Sequence, residues 1–225
     1  MPTVGQIEDS LFALAPKDGA MDWDNVGLLV GDPQEQVGTV LTALDVTEPV
    51  VDEAISMGAQ LIVAHHPVMN CHWNPVQTLR EDTPQGRLLR KMVRSNLSAI
   101  CMHTNLDVAK GGVNDALAET LKLVDPGPLC SDGLGRVGTV GNGPCALPDF
   151  VAEVSAALRC NGLRYANAGK SVFRVAVAGG GCSEFMAQVI ACGCDTFVTA
   201  DVGYHTFLDA VSLGINLIDA GHFPT

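Results

Sequence analysis

The 225-residue sequence is short of charge and short of aromatics, at 17% and 5%. With 47% apolar side chains, this composition excludes a disordered chain and predicts a compact globular one. Basic residues are scarcer than acidic ones, 13 against 25, for a net charge of −12. Such a surface repels phosphate backbones and anionic lipid, so neither nucleic acid nor a membrane is the expected partner. No run of 18 apolar residues occurs, which argues against a membrane-spanning helix. The opening MPTVGQIEDSLFALAP lacks the basic start and apolar run of a secretion signal, so the expectation is a cytoplasmic protein. There is no C-x-x-C. Of the eight cysteines only Cys192 and Cys194 lie close, as C-G-C, and idle thiols in a reducing compartment are expected rather than a thiolate metal site. No G-x-S-x-G, H-E-x-x-H or dinucleotide fingerprint is present.

What is present is an alternation of strand and helix patterns. Val4, Ile7, Leu11 and Leu14 fall at helical spacing, and Pro16 closes that segment. VGTVLTAL then reads as a strand, TEPVVDEAISMG as a helix and AQLIVAHHP as a strand. TPQGRLLRKMVRSN reads as a helix, LSAICMHTNLD as a strand and GGVNDALAETLKL as a helix. Residues 126–148, rich in Gly and Pro with a short strand GRVGTV inside, are the expected connection between a first lobe (1–125) and a second (149–225). The plan of VGTVLTALDVTEPVVDEAISMGAQLIVAHHP returns in VFRVAVAGGGCSEFMAQVIACGCDTFVTADV, which predicts a duplicated lobe. The fold class expected is α/β with largely parallel or mixed sheets.

Apolar strands end in polar residues at LIVA-HHP, AICM-HTNLD, TFVTA-DV and NLIDA-GH. In a parallel α/β sheet the carboxyl ends of the strands share one edge, and ligands bind there. That edge would gather His65, His66, His103, Asp107, Asp201 and His222. Adjacent histidines on a regular strand face opposite sides. At a strand end before a proline the backbone can turn both rings into one pocket. If the two rings bind separate ions, Asp107 is the natural bridge between them. Metal pairs ~3.5–4 Å apart activate oxygen nucleophiles in hydrolysis. Imidazole with carboxylate suits Zn, Fe, Mn or Ni better than Ca or Mg.

Other residues have two readings. Asp201 either caps the helix that follows or joins the site. His205, at the helix start, either lines the pocket or lies outside it. His72 reads as a surface residue in a loop. GGGCSE at 179–184 is either an anion cradle or a tight strand–helix turn.

At these residues the sequence resembles the dinuclear-metal-centre hexameric proteins, also known as homologues of GTP cyclohydrolase 1 type 2. The matching stretches are WDNVGLLVG (23–31), ALDVTEPVVDEAISMGAQLIVAHHPV (43–68), HTNLDVAKGGVND (103–115) and TADVGYHTFLDAVSLGINLIDAGHFPT (199–225). The resemblance covers nearly the whole chain and is to the short form of the family, without an inserted middle domain. It implies two similar, interlocked α/β lobes and a toroidal homo-hexamer. It implies two divalent ions held by His65, His66, Asp107 and His222. It also implies a glutamate in a G-H-x-x-T-E ending, one position past Thr225: either the sequence is part of a longer one, or that second bridging carboxylate is lost and one ion is expected to be weak or absent. The implied activity is metal-dependent hydrolysis of a small anionic nucleotide or related phosphorylated heterocycle, with His103, His205 and Asp201 as candidates for moving protons. The alternative is a hexameric metal store, chaperone or regulatory scaffold without turnover.

Overall fold

The computed structural model describes residues 1–70 and 75–225. His72 and Cys71 lie outside the described residues. The chain divides into two compact units, Met1–Ala109 and Lys110–Thr225.

In the first unit, α1 (Val4–Leu14) starts on a reciprocal cap, with the Thr3 hydroxyl accepting from Gln6 N–H and the Gln6 side chain accepting from Thr3 N–H. The strands are β1 (Gly27–Val30), β2 (Val40–Ala43), β3 (Leu61–Ala64) and β4 (Ser98–Cys101). Between them run α2 (Glu48–Ser56) and α3 (Pro84–Arg94), each begun by a threonine cap and a proline in the first turn. The sheet order is β1-β4-β3-β2. β2, β3 and β4 are parallel, with Ala43 opposite Ala64 and Ala64 opposite Cys101, and β1 is antiparallel to β4.

Side-chain alternation on β3 separates two cores. Ile62 and Ala64 pack with Val51, Leu88 and Met92 of α2 and α3. Leu61 and Val63 pack with Val4, Leu11 and Phe12 of α1. Both faces of β3 and β4 are covered, which is why LIVA and SAIC are apolar throughout.

One sequence expectation needs correction here. The strand read over LSAICMHTNLD stops at Cys101, and Thr104–Val108 is a short helix, α4. The His103 carbonyl accepts from Leu106 N–H at 2.8 Å and Asp107 N–H at 3.1 Å, closing a helical turn where the pattern alone suggested continued extension.

The second unit contains α5 (Val113–Thr120), β5 (Leu123–Pro128), β6 (Arg136–Val140), α6 (Leu147–Ala157), β7 (Arg164–Ala166) and β8 (Arg174–Val177). It continues with α7 (Met186–Ala191), β9 (Thr196–Thr199), α8 (Tyr204–Leu213) and β10 (Asn216–Asp219). Its six strands run β5-β6-β8-β9-β10-β7. β8, β9 and β10 are parallel; β5, β6 and β7 pair antiparallel. Leu117, Phe150, Val154, Val175, Val177, Val198 and Ile218 form its core. The division therefore falls before residues 126–148. That stretch supplies the end of β5 and all of β6 to the second sheet, and its glycines and prolines are spread over β5, the β5–β6 turn, β6 and the start of α6. β2-α2-β3 and β8-α7-β9 follow the same strand–helix–strand plan with parallel partners. Among the described residues no helix is long and apolar enough to cross a membrane.

Candidate metal centre

The first unit collects its polar side chains at one edge of its sheet. Leu44 and Asp45 follow β2, His65 and His66 follow β3, and His103 follows β4. Because the three strands are parallel and in register, these residues share the carboxyl edge. β1 runs the other way, so the Trp23–Asp24–Asn25 stretch before it arrives at the same edge.

After Ala64 the chain bends. His65 N–H still bonds the Ala43 carbonyl and His66 N–H the Leu44 carbonyl, at 3.3 and 3.0 Å. The turn brings the two rings together, with centroids 5.0 Å apart, and His103 lies 5.0 Å from His65 and 5.6 Å from His66. One ring nitrogen from each of the three comes within 4.8 Å of the others.

Each imidazole is oriented through Nδ1 by a different partner. His65 Nδ1 donates to the Met102 carbonyl at 2.8 Å, which fixes the proton on Nδ1 and the lone pair on Nε2. His66 Nδ1 lies 2.8 Å from the Asp45 carboxylate, and His103 Nδ1 lies 2.9 and 3.0 Å from the two oxygens of Asp24. A ring nitrogen bound to a carboxylate or carbonyl, with the other directed at a shared point, is the arrangement that metal-ligating histidines adopt.

Asp24 is the most enclosed of these partners, its side chain 0% exposed. It accepts from His103, from the Asn25 N–H and from both the N–H and the hydroxyl of Thr104. Burial alone would raise its pKa. The hydrogen bonds from His103 and Thr104, with the electrostatic attraction of His103, outweigh that and hold it at about 2. The loop does more than supply Asp24. Trp23 meets the His103 ring edge-on at 6.0 Å, and Asn25 Nδ2 donates to the Met69 carbonyl just after the histidine pair.

Asp107, on α4, is 9% exposed and places Oδ1 3.7 Å from His65 Nε2. That exceeds hydrogen-bond reach. It is a spacing two ligands of one ion take up when each bond is ~2.0–2.2 Å long. The three histidines could hold a metal ion, and imidazole with a carboxylate nearby suits a borderline transition metal. An apolar groove of about 220 Å³ reaches the His65 ring, lined by Leu11, Leu14, Val63, Met102 and Leu106 among others.

The remaining sequence candidates lie in the second unit, again at strand carboxyl ends. His222 Nδ1 and Asp201 Oδ2 are 2.5 Å apart, following β10 and β9. Asp201 does not cap α8, whose first turn has no side-chain cap; its backbone takes φ +53° and its carboxylate orients His222. His205 is exposed at the start of α8, with its ring against Tyr204 at 5.3 Å. GGGCSE is a tight turn. Gly179 N–H bonds Asn114, Gly180 N–H bonds the Thr225 hydroxyl and Cys182 N–H bonds Thr199, so these donors are spent internally.

Asp24 and Asp45 were not singled out from the sequence. Their signal was modest: both stand in loops flanking short strands, inside the quoted stretches WDNVG and ALDV.

Comparison with known proteins identifies the family. The profile of the family described as Duf34/NIF3 (NGG1p interacting factor 3) matches residues 2–225. A Clostridium perfringens protein named GTP cyclohydrolase 1 type 2 homolog is 34% identical, over 93% of this chain and 81% of its own length. A Streptomyces coelicolor protein of the same name is 35% identical, over 100% of this chain and 82% of its own. The crystal structure of a Staphylococcus aureus hypothetical protein is similar at a TM-score of 0.90 and 31% identity, covering 100% of this chain and 87% of that one.

Proposed function

The chain belongs to the Duf34/NIF3 family, and from that premise we propose that it is a metal-dependent hydrolase of a small anionic substrate of the nucleotide class. The observation that carries the reading is the donor group itself: three ring nitrogens within 4.8 Å, each ring oriented from behind by an acceptor. Relatives named GTP cyclohydrolase 1 type 2 homolog support the substrate class.

In this reading His65, His66 and Asp107 would hold the two divalent ions that the family resemblance implies, and His103 would join them as a donor. His222, oriented by Asp201, is the further ligand that the family resemblance implies. Zn, Fe, Mn or Ni match the nitrogen and carboxylate donors. A divalent ion supplies Lewis acidity and lowers the pKa of water so that hydrolysis runs near neutral pH. The protein's own part is to fix the donors. Met102, Asp45 and Asp24 hold protons on Nδ1 of the three rings and so keep Nε2 basic. The positive ions would draw an anionic substrate to a chain of net charge −12. His205 and Asp201 are proposed to move protons.

Self-association as a hexamer is part of this proposal. Tyr204, Leu208 and Val211 on α8, at helical spacing, are 72%, 50% and 45% exposed and form a surface that another copy would cover.

A second reading is favoured by the groove at His65, whose lining is mostly apolar. It is a metal-binding scaffold without turnover. Two assays separate the readings. Purified wild type should carry metal that a His65→Ala/His66→Ala double variant lacks. Metal-loaded wild type should convert GTP or another nucleotide, and the double variant should not. Loss of metal binding with no turnover across a nucleotide panel would select the scaffold.

A further inference from the structure

The C-G-C of the sequence has no part in the metal chemistry, yet the fold brings one of its cysteines against another thiol. Cys130 sits in the turn joining β5 to β6. Its backbone is fixed on both sides: Cys130 N–H bonds the Leu134 carbonyl, and its own carbonyl accepts from Gly133 N–H, each at 3.0 Å. Cys192 closes the last turn of α7, with its N–H on the Gln188 carbonyl at 2.9 Å. Arg174 Nε donates to the Cys192 carbonyl at 2.8 Å, so this residue too is anchored.

Between the two anchored backbones the side chains approach. The Cys192 thiol donates to the Leu129 carbonyl, 3.8 Å away. That carbonyl belongs to the peptide bond leading into Cys130, whose planar geometry keeps the oxygen ~2.8 Å from the Cys130 Cα. The Cys192 sulfur is therefore within about 6.6 Å of the Cys130 Cα, which makes the two thiols neighbours, and closing the ~2.05 Å S–S bond requires both side chains to turn toward each other. Both residues are partly exposed, and both are free thiols.

We propose that Cys130 and Cys192 form a reversible, peroxide-driven disulfide that staples the β5–β6 turn to the end of α7. The Cys192 thiolate attacks one oxygen of hydrogen peroxide; the O–O bond breaks and hydroxide leaves as water after taking up a proton. Cys192 is now a sulfenic acid. The Cys130 sulfur, surrendering its proton, attacks the Cys192 sulfur. The S–S bond forms, the S–O bond breaks, and the departing hydroxide takes that proton to become the second water. Both sulfurs are oxidised and the peroxide is reduced. A cellular dithiol reverses the link by exchange.

The order of attack follows from the surroundings. Burial, the Asp132 carboxylate and the neighbouring Cys192 sulfur push the Cys130 thiol up to about 11, so it remains protonated at neutral pH and serves as the resolving partner. Cys194, the other half of C-G-C, is held at about 11 by burial in spite of Arg174 and is 6% exposed, so it competes poorly for Cys192.

The test uses the full chain in three forms: wild type, Cys130→Ser and Cys192→Ser. Each is treated with hydrogen peroxide, blocked with an alkylating reagent and digested without reductant for mass spectrometry. The wild type should yield a joined Cys130–Cys192 peptide pair that dithiothreitol separates. Cys130→Ser should give no such pair and should accumulate a dimedone adduct on Cys192. Cys192→Ser should leave Cys130 fully alkylated. A short bifunctional thiol reagent on untreated wild type should bridge the same two residues, which keeps the test decisive if a serine variant misfolds. A Cys192–Cys194 pair, or Cys192 recovered fully alkylated after peroxide, would overturn the proposal.

Discussion

Asp24 and His103 meet side chain to side chain across 79 positions of sequence, with Nδ1 2.9 Å from one carboxylate oxygen and 3.0 Å from the other. The contact fixes the orientation of a histidine ring at a strand end. Asp24 also binds the N–H and hydroxyl of Thr104, so one buried carboxylate sets the His103 ring and the start of α4 together, and α4 in turn carries Asp107.

Asp24→Asn should therefore weaken metal binding by ~10–100-fold, the usual cost of removing an orienting partner behind a ligating histidine. The amide also sets a donor against the donors of Thr104, so stability should fall by about 1–3 kcal/mol. Asp45→Asn should do less on both counts, because Asp45 is 54% exposed and water can replace it. Chelator competition with Zn(II), alongside urea unfolding of the same variants, measures both. Equal affinities for Asp24→Asn and wild type would remove the orienting role.

Gly180 stands at φ +71°, and a Cβ there would lie 3.3 Å from His222 Nε2. Gly180→Ala should cost about 1–2 kcal/mol from the left-handed backbone alone. For a chain of this size that lowers Tm by about 2–8 °C. It should also displace the His222 ring from Asp201. A melting curve reads the first effect, and the histidine side-chain NMR signals read the second. An unchanged Tm would mean that this backbone is not held as described.

The Arg136 side chain, its hydrogen bond foremost, holds the Asp115 carboxyl below its ordinary value of 3.8. A carboxyl whose folded pKa is depressed adds stability above its unfolded pKa, and that stability disappears as pH falls through the folded value. The stability gap between wild type and Asp115→Asn should thus be full at pH 7 and shrink below about pH 4. Urea unfolding of both proteins from pH 7 to pH 3 tests it, and a gap independent of pH would contradict it.

The strand ends carried most of what was readable in the sequence. LIVA-HH, AICM-H and NLIDA-GH are apolar runs that change character at one residue, and parallel register then fixes where those residues go. The family read from HHP, HTNLD and GH is the family that the profile and the relatives identify. The supporting carboxylates were harder to see. Asp24 lies before an antiparallel strand, so its arrival at the carboxyl edge depends on β1 pairing backwards with β4, which no periodicity announces. The HTNLD stretch read as strand because its apolar spacing is too short to distinguish extension from one helical turn; the Asp24–Thr104 contact decides it. The division of the chain at Ala109 was masked by the Gly/Pro-rich segment further on, which is punctuation within the second sheet.

The most direct measurement is anomalous diffraction from crystals grown with Zn(II) or Mn(II). The account predicts density from a heavy scatterer bounded by the rings of His65, His66 and His103 and the carboxylate of Asp107, absent in His65→Ala/His66→Ala. Ordinary solvent there at saturating metal, or a scatterer held elsewhere and unaffected by the double substitution, would contradict it.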